Sequence, residues 1–370
     1  MKSPTRPKVL FMVHLPPPVH GAALRNESLV KSQLLNDHFN IRVHPLAFAK
    51  SIEDIGSVSL SKLLKAAVYA VRLLFHMVVF RPRIAYFTIA PVGGAFYRDV
   101  LFVFILKMFP TRIVYHLRGM GIKSAMTGGV KSALYRFVFR NTDVICLSRL
   151  QVPDVDLVKY HRLFIVPNGI KTESTRTAVH ATSKNILFLS NYVESKGVYV
   201  FMEAIARLSS KRSDFTAQMI GANADVTLPD MERRRSQLKL DGVLKISGPA
   251  YKEQKFEALE GCFMFVFPTY YPNEVFPGVI LEAMQCGKPV ISTNHGVIAD
   301  IIDDGKTGLI VPPKEVDPLV AAMNYLLDHP DSAINMGEQA LQKFQQQYTL
   351  AHFENNMKDT LDNNITYDTK

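Results

Sequence analysis

The sequence predicts an α/β protein built from two doubly wound parallel sheets. Short apolar runs alternate with longer helical patterns, and the runs are continuous rather than alternating, as expected for strands buried on both faces. A repeated strand–helix–strand order favours parallel sheets covered by helices on both sides. The runs fall into two series of about six, which the turn signal Pro167-Asn168-Gly169 separates.

The strand candidates follow this order along the chain. The first series is Val9–Val13, Ile41–Pro45, Ile84–Thr88, Arg112–Leu117, Val144–Ser148 and Leu163–Val166. The second series is Asn185–Leu189, Thr216–Ile220, Val243–Ser247, Met264–Pro268, Pro289–Thr293 and Gly308–Val311. The helical patterns between them are Gly21–Leu35, Ser59–Phe80, Ala95–Phe109, Ser132–Arg140, Gly197–Ser210, Gln254–Leu259, Gly278–Cys286 and Pro318–His329.

The length of 370 residues fits two domains of ordinary size. We expect an N-terminal Rossmann-like domain over residues 1–168 and a C-terminal one over residues 169–349. The tail holds two further helical patterns and no strand candidate. We expect its last helix, at about 350–370, to pack back on the first domain.

The composition excludes several classes of protein. With 48% apolar and 21% charged residues, the chain is neither a largely disordered polymer, nor a collagen, nor a coiled coil. Three widely spaced cysteines exclude a disulfide scaffold and a Cys-x-x-Cys site. We expect them to be buried small apolar residues in a reducing compartment, which indicates the cytoplasm.

The net charge of +10 is unevenly distributed. Residues 1–180 carry 25 Lys and Arg against 9 Asp and Glu, a net of +16, and the remainder carries 18 against 24, a net of −6. The two halves therefore face different partners, and nucleic acid, an anionic membrane or a phosphorylated substrate would each suit the basic half. The apolar stretches Ala66–Phe80 and Val100–Phe109 are shorter than the ~20 residues of a membrane-spanning helix. The apolar run Val9–Leu15 lacks a small-residue cleavage site and predicts a buried strand, not a signal peptide.

Two carboxylates stand eight residues apart in the most informative stretch. Glu274 lies in the loop after a strand, and Glu282 lies about one turn into the next helix. Pro277 suits the first turn of that helix because its missing N–H costs nothing there. The free N–H groups near Gly278 and Val279 could then bind a phosphate or sugar oxygen.

The helix that carries Glu282 is predicted to be largely buried. The residues around Glu282 are apolar, namely Val279, Ile280, Leu281, Ala283 and Met284. A carboxylate in such surroundings needs a hydrogen-bonding partner. Ribose hydroxyls would be suitable partners.

An ordered set of short motifs accompanies this stretch. The set is Pro16-Pro17-Pro18-Val19-His20-Gly21, His116-Leu117-Arg118-Gly119, Val166-Pro167-Asn168-Gly169-Ile170, Lys196-Gly197, and Glu274 to Pro313 with Gly305-Lys306-Thr307-Gly308-Leu309. Together they resemble the retaining, nucleotide-sugar-dependent glycosyltransferases of family 4, of the bacterial surface-polysaccharide type. This family has the GT-B fold, so the resemblance implies two facing Rossmann-like domains with a cleft between them.

The resemblance also implies a role for each motif. The donor would be a nucleoside-diphosphate sugar, with UDP favoured over GDP. Lys196 and the backbone N–H of Gly21 would stabilise the departing diphosphate, and Glu282 would hold the ribose hydroxyls. Glu274 would contact the donor sugar, the backbone of Phe276, Pro277, Gly278 and Val279 would complete that pocket, and His116 would line it from the first domain.

The chain departs from the family at Asn191. The family often has an arginine five residues before the lysine, whereas Asn191 offers one neutral hydrogen bond and no charge. Leaving-group stabilisation would then depend more on Lys196, and Arg118 is the candidate cation to replace the arginine. Because retention in this family is explained by front-face attack, we nominate no carboxylate nucleophile.

The basic first half suggests where the protein works. The predicted helix Ser59–Phe80 places Lys62, Lys65 and Arg72 among apolar residues, as in helices that lie on anionic membranes. The alternative is that this helix only covers the sheet and that its basic residues form a solvated face. A glycan or lipid-diphosphate-linked acceptor at the cytoplasmic face of the inner membrane would suit both the charge and the resemblance.

Other functions remain as alternatives. Asp154 and Asp156 form an Asp-x-Asp pattern, but no facing metal ligands accompany it, so we expect a surface helix start there, no metal site and no cofactor. Another GT-B enzyme, such as a sugar-nucleotide epimerase, fits the motifs less well. A non-catalytic basic module that binds membranes is a further alternative. Nucleic-acid binding is not expected, because the aromatic residues fall in apolar runs instead of interleaving with the basic ones.

Overall fold

The computed structural model describes residues 6–18, 21–48, 60–173 and 183–366, without the side chains of 60–63 and 366. The chain divides into two compact units. The first is Met1–Asn168 with Leu350–Lys370, and the second is Gly169–Thr349. Val19 and His20 of the first motif, the predicted helix start at Ser59 and the side chain of Lys62 lie outside the described residues.

Six parallel strands form the sheet of the first unit, in the order β2-β1-β3-β4-β5-β6. They are β1 (Lys8–Val13), β2 (Asn40–Pro45), β3 (Ile84–Phe87), β4 (Arg112–His116), β5 (Asp143–Cys146) and β6 (Arg162–Ile165). Strand β1 is internal, and its Phe11 is in register with Val43 of β2 and Tyr86 of β3. The continuous apolar runs thus become strands that are covered on both faces.

Helices cover both faces of this sheet. They are α1 (Gly21–Lys31), α2 (Gln33–His38), α3 (Leu60–Phe75) with a π-helical turn (His76–Phe80), α4 (Gly93–Lys107), α5 (Ile122–Ala125) and α6 (Gly129–Phe139). Leu10 and Met12 of β1 face the core formed with α3, α4 and α6. Val9 and Phe11 face the opposite core, which α1, α2 and the C-terminal helix (Leu350–Thr366) complete.

The second unit contains another six-stranded parallel sheet, in the order β12-β11-β10-β7-β8-β9. Its strands are β7 (Asn185–Leu189), β8 (Thr216–Ile220), β9 (Leu244–Ser247), β10 (Met264–Phe267), β11 (Val290–Thr293) and β12 (Gly308–Val311). Its helices are α7 (Val198–Ser209), α8 (Leu228–Gln237), α9 (Glu253–Gly261), α10 (Gly278–Gln285), α11 (Ile298–Ile301), α12 (Val316–Asp328) and α13 (Pro330–Gln347). Two six-stranded parallel sheets confirm the predicted fold class.

Two of the differences from the predicted helices have a clear physical reason. The pattern Gly21–Leu35 forms two helices, because the hydroxyl of Ser32 accepts the N–H of Leu35 at 3.3 Å and starts a new helix. Helix α8 was not predicted, because its sequence is polar and only Met231 is buried. The signal was a capping box, in which Thr227 and Asp230 exchange hydrogen bonds.

The prediction of a surface helix start at Asp154 is wrong. Asp154 is buried at the end of a 3-10 helix (Arg149–Asp154). Its carboxylate accepts the backbone N–H groups of Gly121, Ile122 and Lys123 at 2.8–3.1 Å. Asp154 therefore caps α5 from a distant part of the chain. Its negative charge stabilises the backbone N–H groups at the start of that helix, which have no partner within the helix.

Candidate functional site

The strand order of the second sheet reverses between β7 and β10. From β7 the chain proceeds outward through β8 and β9, and it then returns to build β10, β11 and β12 on the other side. The loops after β7 and β10 diverge at such a point and leave a crevice at the carboxyl ends of the strands, where doubly wound sheets bind ligands. The sequence-predicted residues Lys196 and Glu274 lie in these two loops.

Lys196 and Glu274 meet at this crevice. Lys196 Nζ lies 3.4 Å from Glu274 Oε2, and the two side chains are 21% and 16% exposed. The same Nζ lies 5.7 Å from the ring centre of Tyr271. Residues that follow different strands therefore form a partly shielded pair, in which a cation and a carboxylate are both within reach of solvent.

Gly197 allows the two loops to come together. Its φ is +87°, and a Cβ added there would lie 2.3 Å from the carbonyl oxygen of Pro268. The N–H of Tyr270 also donates to the carbonyl of Ser195 at 2.7 Å. The Lys-Gly motif is thus a requirement of loop packing as well as the position of a cation.

The loop after β11 braces the segment that carries Glu274. His295 Nε2 hydrogen-bonds the carbonyl of Tyr271 at 2.7 Å, and the N–H of Val297 donates to Val275 at 3.2 Å. Between them, Gly296 has a φ of +60° and approaches the Glu274 carbonyl so closely that an added Cβ would lie 2.5 Å away. The backbone of Glu274 is therefore fixed from two sides.

Helix α10 begins directly after this segment. Gly278 is its first residue, and Pro277 is its N-cap residue, one position earlier than the first-turn location that the sequence predicted. No side chain caps this N-terminus, and a Cβ at Gly278 would meet nothing within 4 Å. The end of the helix is thus open at Gly278 and Val279, with its positive dipole available to an anion. Phe276 is half-buried, and its ring lies 6.0 Å from that of Tyr348.

Glu282 has a protein partner that the sequence did not reveal. Lys255 of α9 places Nζ 2.6 Å from Glu282 Oε1, and the two side chains are 22% and 19% exposed. The neighbours of Glu282 on α10 are buried, as expected. The predicted need for a partner was right, but Lys255 lies 27 residues earlier and no sequence signal tied the two together.

Asn191 is exposed in the loop between β7 and Lys196. Its carbonyl accepts the N–H of Val193 at 2.8 Å. The neighbouring Tyr192 is fully buried and anchors the loop through its hydroxyl, which donates to the carbonyl of Met219 at 3.1 Å. The Asn191 side chain therefore stands in solvent on a well-anchored loop.

The first unit presents Gly21 and buries His116. Gly21 is the exposed first residue of α1, and a Cβ there would meet nothing within 4 Å. His116 ends β4 with no exposed surface; its Nδ1 is 2.9 Å from the hydroxyl of Tyr86 and its ring lies 6.5 Å from that of Phe353. Burial lowers the pKa of His116 well below its usual range. The Nε2 of His116 is buried and has no hydrogen-bond partner among the described residues, so its role in lining a sugar pocket stays a prediction.

Arg118 follows β4 in a more accessible position. Its Nη1 donates to Asn168 Oδ1, and its guanidinium lies 5.5 Å from the ring centre of Phe353. Its Nε and Nη2 are buried and have no hydrogen-bond partner in the part of the chain that the structure describes. The guanidinium also interacts with the Tyr86 hydroxyl, so Arg118 is held by neighbours within the first unit.

The described ranges contain no group of three or more His, Cys, Asp or Glu side chains that could hold a metal ion. The chemistry at the crevice of the second unit is that of two lysines, two carboxylates and an open helix N-terminus. Such a set can bind a molecule that has negative charge in its middle and hydroxyl groups on both sides of that charge.

The second unit is similar to a known domain family. Residues 170–343, nearly all of that unit, match the family model described as "Glycosyl transferases group 1". The match covers the loops after β7 and β10 and the whole of α10.

Curated relatives match shorter parts of the chain. D-rhamnosyltransferase WbpZ of Pseudomonas aeruginosa is 29% identical over 155 residues, which are 42% of this chain and 39% of that protein. O-antigen chain mannosyltransferase C of Escherichia coli is 26% identical over 170 residues, 45% of this chain and 43% of that protein. The matched segments thus span only about two fifths of the length of these relatives.

Solved structures match over nearly the whole chain. Sucrose-phosphate synthase (tll1590) from Thermosynechococcus elongatus has a TM-score of 0.73 at 14% identity, with 98% of this chain and 100% of that chain covered. Anabaena Alr3699/HepE in complex with UDP has a TM-score of 0.75 at 16% identity, with 96% and 100% covered. At these identities the likeness shows the fold, which is GT-B.

Proposed function

We propose that this protein is a retaining, metal-independent glycosyltransferase. It moves a hexose-type sugar from a nucleoside-diphosphate sugar to a glycan or lipid-linked glycan acceptor, in bacterial surface-polysaccharide assembly. The glycosyl transferases group 1 domain and the O-antigen mannosyltransferase among the relatives support this proposal. The solved HepE complex contains UDP, which supports a UDP-sugar over a GDP-sugar as donor.

One observation carries the proposal most strongly. The pair of Lys196 and Glu274 lies where the strand order of the second sheet reverses, next to the uncapped start of α10. A nucleoside-diphosphate sugar has a doubly charged diphosphate between two hydroxylated rings. A lysine and free N–H groups suit the diphosphate, and carboxylates on either side suit the hydroxyls.

Each residue then takes a role in donor binding. Lys196 contacts the diphosphate, and Asn191 adds one neutral hydrogen bond to it. Glu274 and the backbone of Phe276–Val279 hold the sugar. Glu282 holds the ribose through its second oxygen, while Oε1 stays with Lys255. Gly21 and Arg118 of the first unit are proposed as further donors to the diphosphate, and the first unit is assigned to the acceptor.

The transfer itself needs little covalent chemistry from the protein. The bond from the sugar to the diphosphate oxygen breaks while a bond to the acceptor oxygen forms on the same face. The departing phosphate oxygen takes the proton of the acceptor hydroxyl, so no carboxylate acts as nucleophile. The main contribution of Lys196 is to stabilise the negative charge that develops on the leaving group, because such electrostatic stabilisation often lowers the barrier more than any other effect.

A ligand panel tests this proposal. A nucleoside diphosphate at 100 times its dissociation constant adds about 2.7 kcal/mol to the stability of the folded state, so thermal unfolding should shift upward by several degrees with UDP. Donors that also stabilise the protein should then be tested for transfer, with the anomeric configuration of the product read by NMR and with a chelator present. If no nucleoside diphosphate or nucleotide sugar shifts the unfolding temperature, the proposed donor class is wrong.

A further inference from the structure

The outer face of α3 is apolar, whereas the outer face of a helix at a protein surface is normally polar. Large apolar side chains recur every three or four residues along α3 and the π-helical turn. They are exposed by 37–67%, and they are Leu64, Val68, Val71, Leu74, Phe75, Val78 and Val79. The inner face of the same helix is also apolar, with Ala66, Leu73 and Met77 in the core. Apart from Lys65 and Arg72, the described part of α3 is thus apolar on both faces, as expected for a helix that is covered on both sides.

Helix α4 shows the same feature. The outer side chains of the helix and of its C-cap residue recur at the same spacing and are exposed by 43–66%, and they are Tyr97, Leu101, Phe104 and Met108. Its inner face contributes Phe102, Val103 and Leu106 to the core. Packing against the sheet therefore explains why the inner face of each helix is apolar. It does not explain why the outer face is apolar too.

The two outer faces belong to one surface. Helices α3 and α4 contact each other and pack into the same core on the same side of the first sheet. Of the 17 exposed large apolar side chains in the described ranges, 11 lie on these two helices, the α4 C-cap and the π-helical turn. We call these 11 residues the α3–α4 face. An apolar concentration of this kind marks an interaction site.

Among the described residues, the exposed charges on the helices around the α3–α4 face are of one sign. Helices α3 and α6 and the π-helical turn contain no Asp or Glu, and the one acid of α4, Asp99, is fully buried beside Arg98. The basic residues on or next to these helices are Lys65, Arg72, Arg81, Lys107, Lys131, Arg136 and Arg140. A partner must therefore be apolar and bear negative charge at its rim. A second copy of this chain would bring like charges together.

We propose that the α3–α4 face docks on an anionic lipid bilayer. Its apolar side chains enter the boundary between headgroups and acyl chains, and the surrounding cations contact the headgroups. In the ranges that the structure describes, no helix combines the length and the apolar character needed to cross a bilayer. The interaction goes beyond the proposed sugar transfer, because the bilayer is neither donor nor leaving group there. It also differs from purely electrostatic binding by Lys62, Lys65 and Arg72, because most of the contact is apolar.

Vesicle flotation tests the docking surface without any sugar nucleotide. The protein is mixed with phosphatidylcholine vesicles, with or without phosphatidylglycerol, at low and at high salt. We expect binding to the anionic vesicles that high salt weakens without abolishing. The variant with Val71→Ser, Phe75→Ser and Leu101→Ser should bind at least tenfold more weakly. The matched control with Leu150→Ser, Leu157→Ser and Tyr325→Ser, also exposed by 42–49%, should bind like the parent.

Three outcomes would overturn the proposal. The first is that the parent protein binds neither kind of vesicle. The second is that the two triple variants bind equally well. The third is a dimer, seen by sedimentation velocity, that only the Val71, Phe75 and Leu101 variant loses, which would make this face a self-association surface. Far-UV circular dichroism checks that each variant is folded. Because UDP binding is measured separately, failure here leaves the proposed sugar transfer untouched.

Discussion

Lys196 Nζ lies 3.4 Å from Glu274 Oε2, whereas Lys255 Nζ lies 2.6 Å from Glu282 Oε1. Charge-assisted hydrogen bonds are typically about 2.7–2.9 Å long, so the first pair is loose and the second is tight. A loose pair can open for a ligand at small cost, since each partner keeps most of its hydrogen-bonding capacity. When the donor binds, Lys196 is therefore suited to leave Glu274 for the diphosphate, and Glu274 is suited to bind the sugar.

Lys196→Ala should lower turnover by at least about 100-fold, because removing one key stabilising donor typically costs about 2.7–4 kcal/mol of transition-state stabilisation. Lys211→Ala, at an exposed position of the same unit, is the control and should leave turnover unchanged. A chelator should change neither rate. Initial rates of sugar transfer check this prediction, and full activity of Lys196→Ala would move the stabilising role elsewhere, with Arg118 the first residue to examine.

Asn191→Arg should add a cation to the loop that carries Lys196. Since Asn191 is exposed and the loop is anchored by Tyr192, the longer side chain can be accommodated. We expect tighter binding of the nucleoside diphosphate and a partial rescue of Lys196→Ala. Titration calorimetry with UDP and transfer rates of the double variant measure the two effects. Unchanged affinity would mean that position 191 does not face the diphosphate.

The two carboxylates should differ in their effects. Glu282→Ala should weaken nucleoside diphosphate and nucleotide sugar alike, by about 1.5–3 kcal/mol, because the ribose is common to both. Glu274→Ala should reduce turnover while leaving the affinity for the nucleoside diphosphate nearly unchanged. The exposed Glu257 provides the control, Glu257→Ala. If Glu282→Ala and Glu274→Ala changed affinity and turnover in the same way, the division of roles would be refuted.

Gly296→Ala should impair transfer although Gly296 contacts no proposed ligand. The new Cβ would lie 2.5 Å from the Glu274 carbonyl, at a φ of +60°, so the Glu274 segment must shift. A displacement of about 1 Å at a reacting centre can cost about 100-fold in rate. Gly242→Ala, where a Cβ meets nothing within 4 Å, is the matched control. The prediction fails if kcat is unchanged in a folded Gly296→Ala variant.

His44 should make the first unit sensitive to acid. It is fully buried near Tyr69, His76 and Phe102, and burial, followed by the charges of His76 and Arg72, lowers its pKa from 6.5 to about 4. The folded state thus favours the neutral ring. The neutral ring therefore contributes about 3 kcal/mol to the free energy of unfolding. This contribution is fully present above pH 6.5 and is lost as the pH falls towards 4.

His44→Phe should remove this part of the pH dependence, because a phenyl ring cannot be protonated and fits among aromatic neighbours. Urea unfolding above pH 6.5 and near pH 4 gives the two free energies of unfolding. The exposed His329 supplies the control, His329→Phe, which should lose as much stability in acid as the parent. An equal loss in His44→Phe would contradict the assignment.

The sequence predicts the sheets well because a strand covered on both faces needs a continuous apolar run. Phe265, Val266 and Phe267 of β10 are an example, and all three are fully buried. The ends of the strands shift by a residue or two because they depend on hydrogen bonds to neighbouring strands. Helix α8 was missed because only Met231 faces the core, so almost no apolar period remained to detect.

The site is predictable in part for a related reason. Parallel strands end at one edge of a sheet, so Lys196 and Glu274 could be placed near each other without coordinates. The partnership of Lys255 with Glu282 could not, since nothing in a helical pattern says which neighbouring helix a polar side chain will face. For His116, the strand pattern does not show whether the ring at the end of β4 faces the core, and the ring is in fact buried beside Tyr86.

Titration calorimetry of UDP into the parent protein, Lys196→Ala and Lys211→Ala is the sharpest test of the proposed diphosphate site. We expect measurable binding to the parent, equal binding to Lys211→Ala, and affinity at least about tenfold lower for Lys196→Ala, since a hydrogen bond to a charged group contributes about 1.5–3 kcal/mol. Equal affinities for all three proteins would refute the site, because the diphosphate would then be held somewhere other than the crevice between β7 and β10.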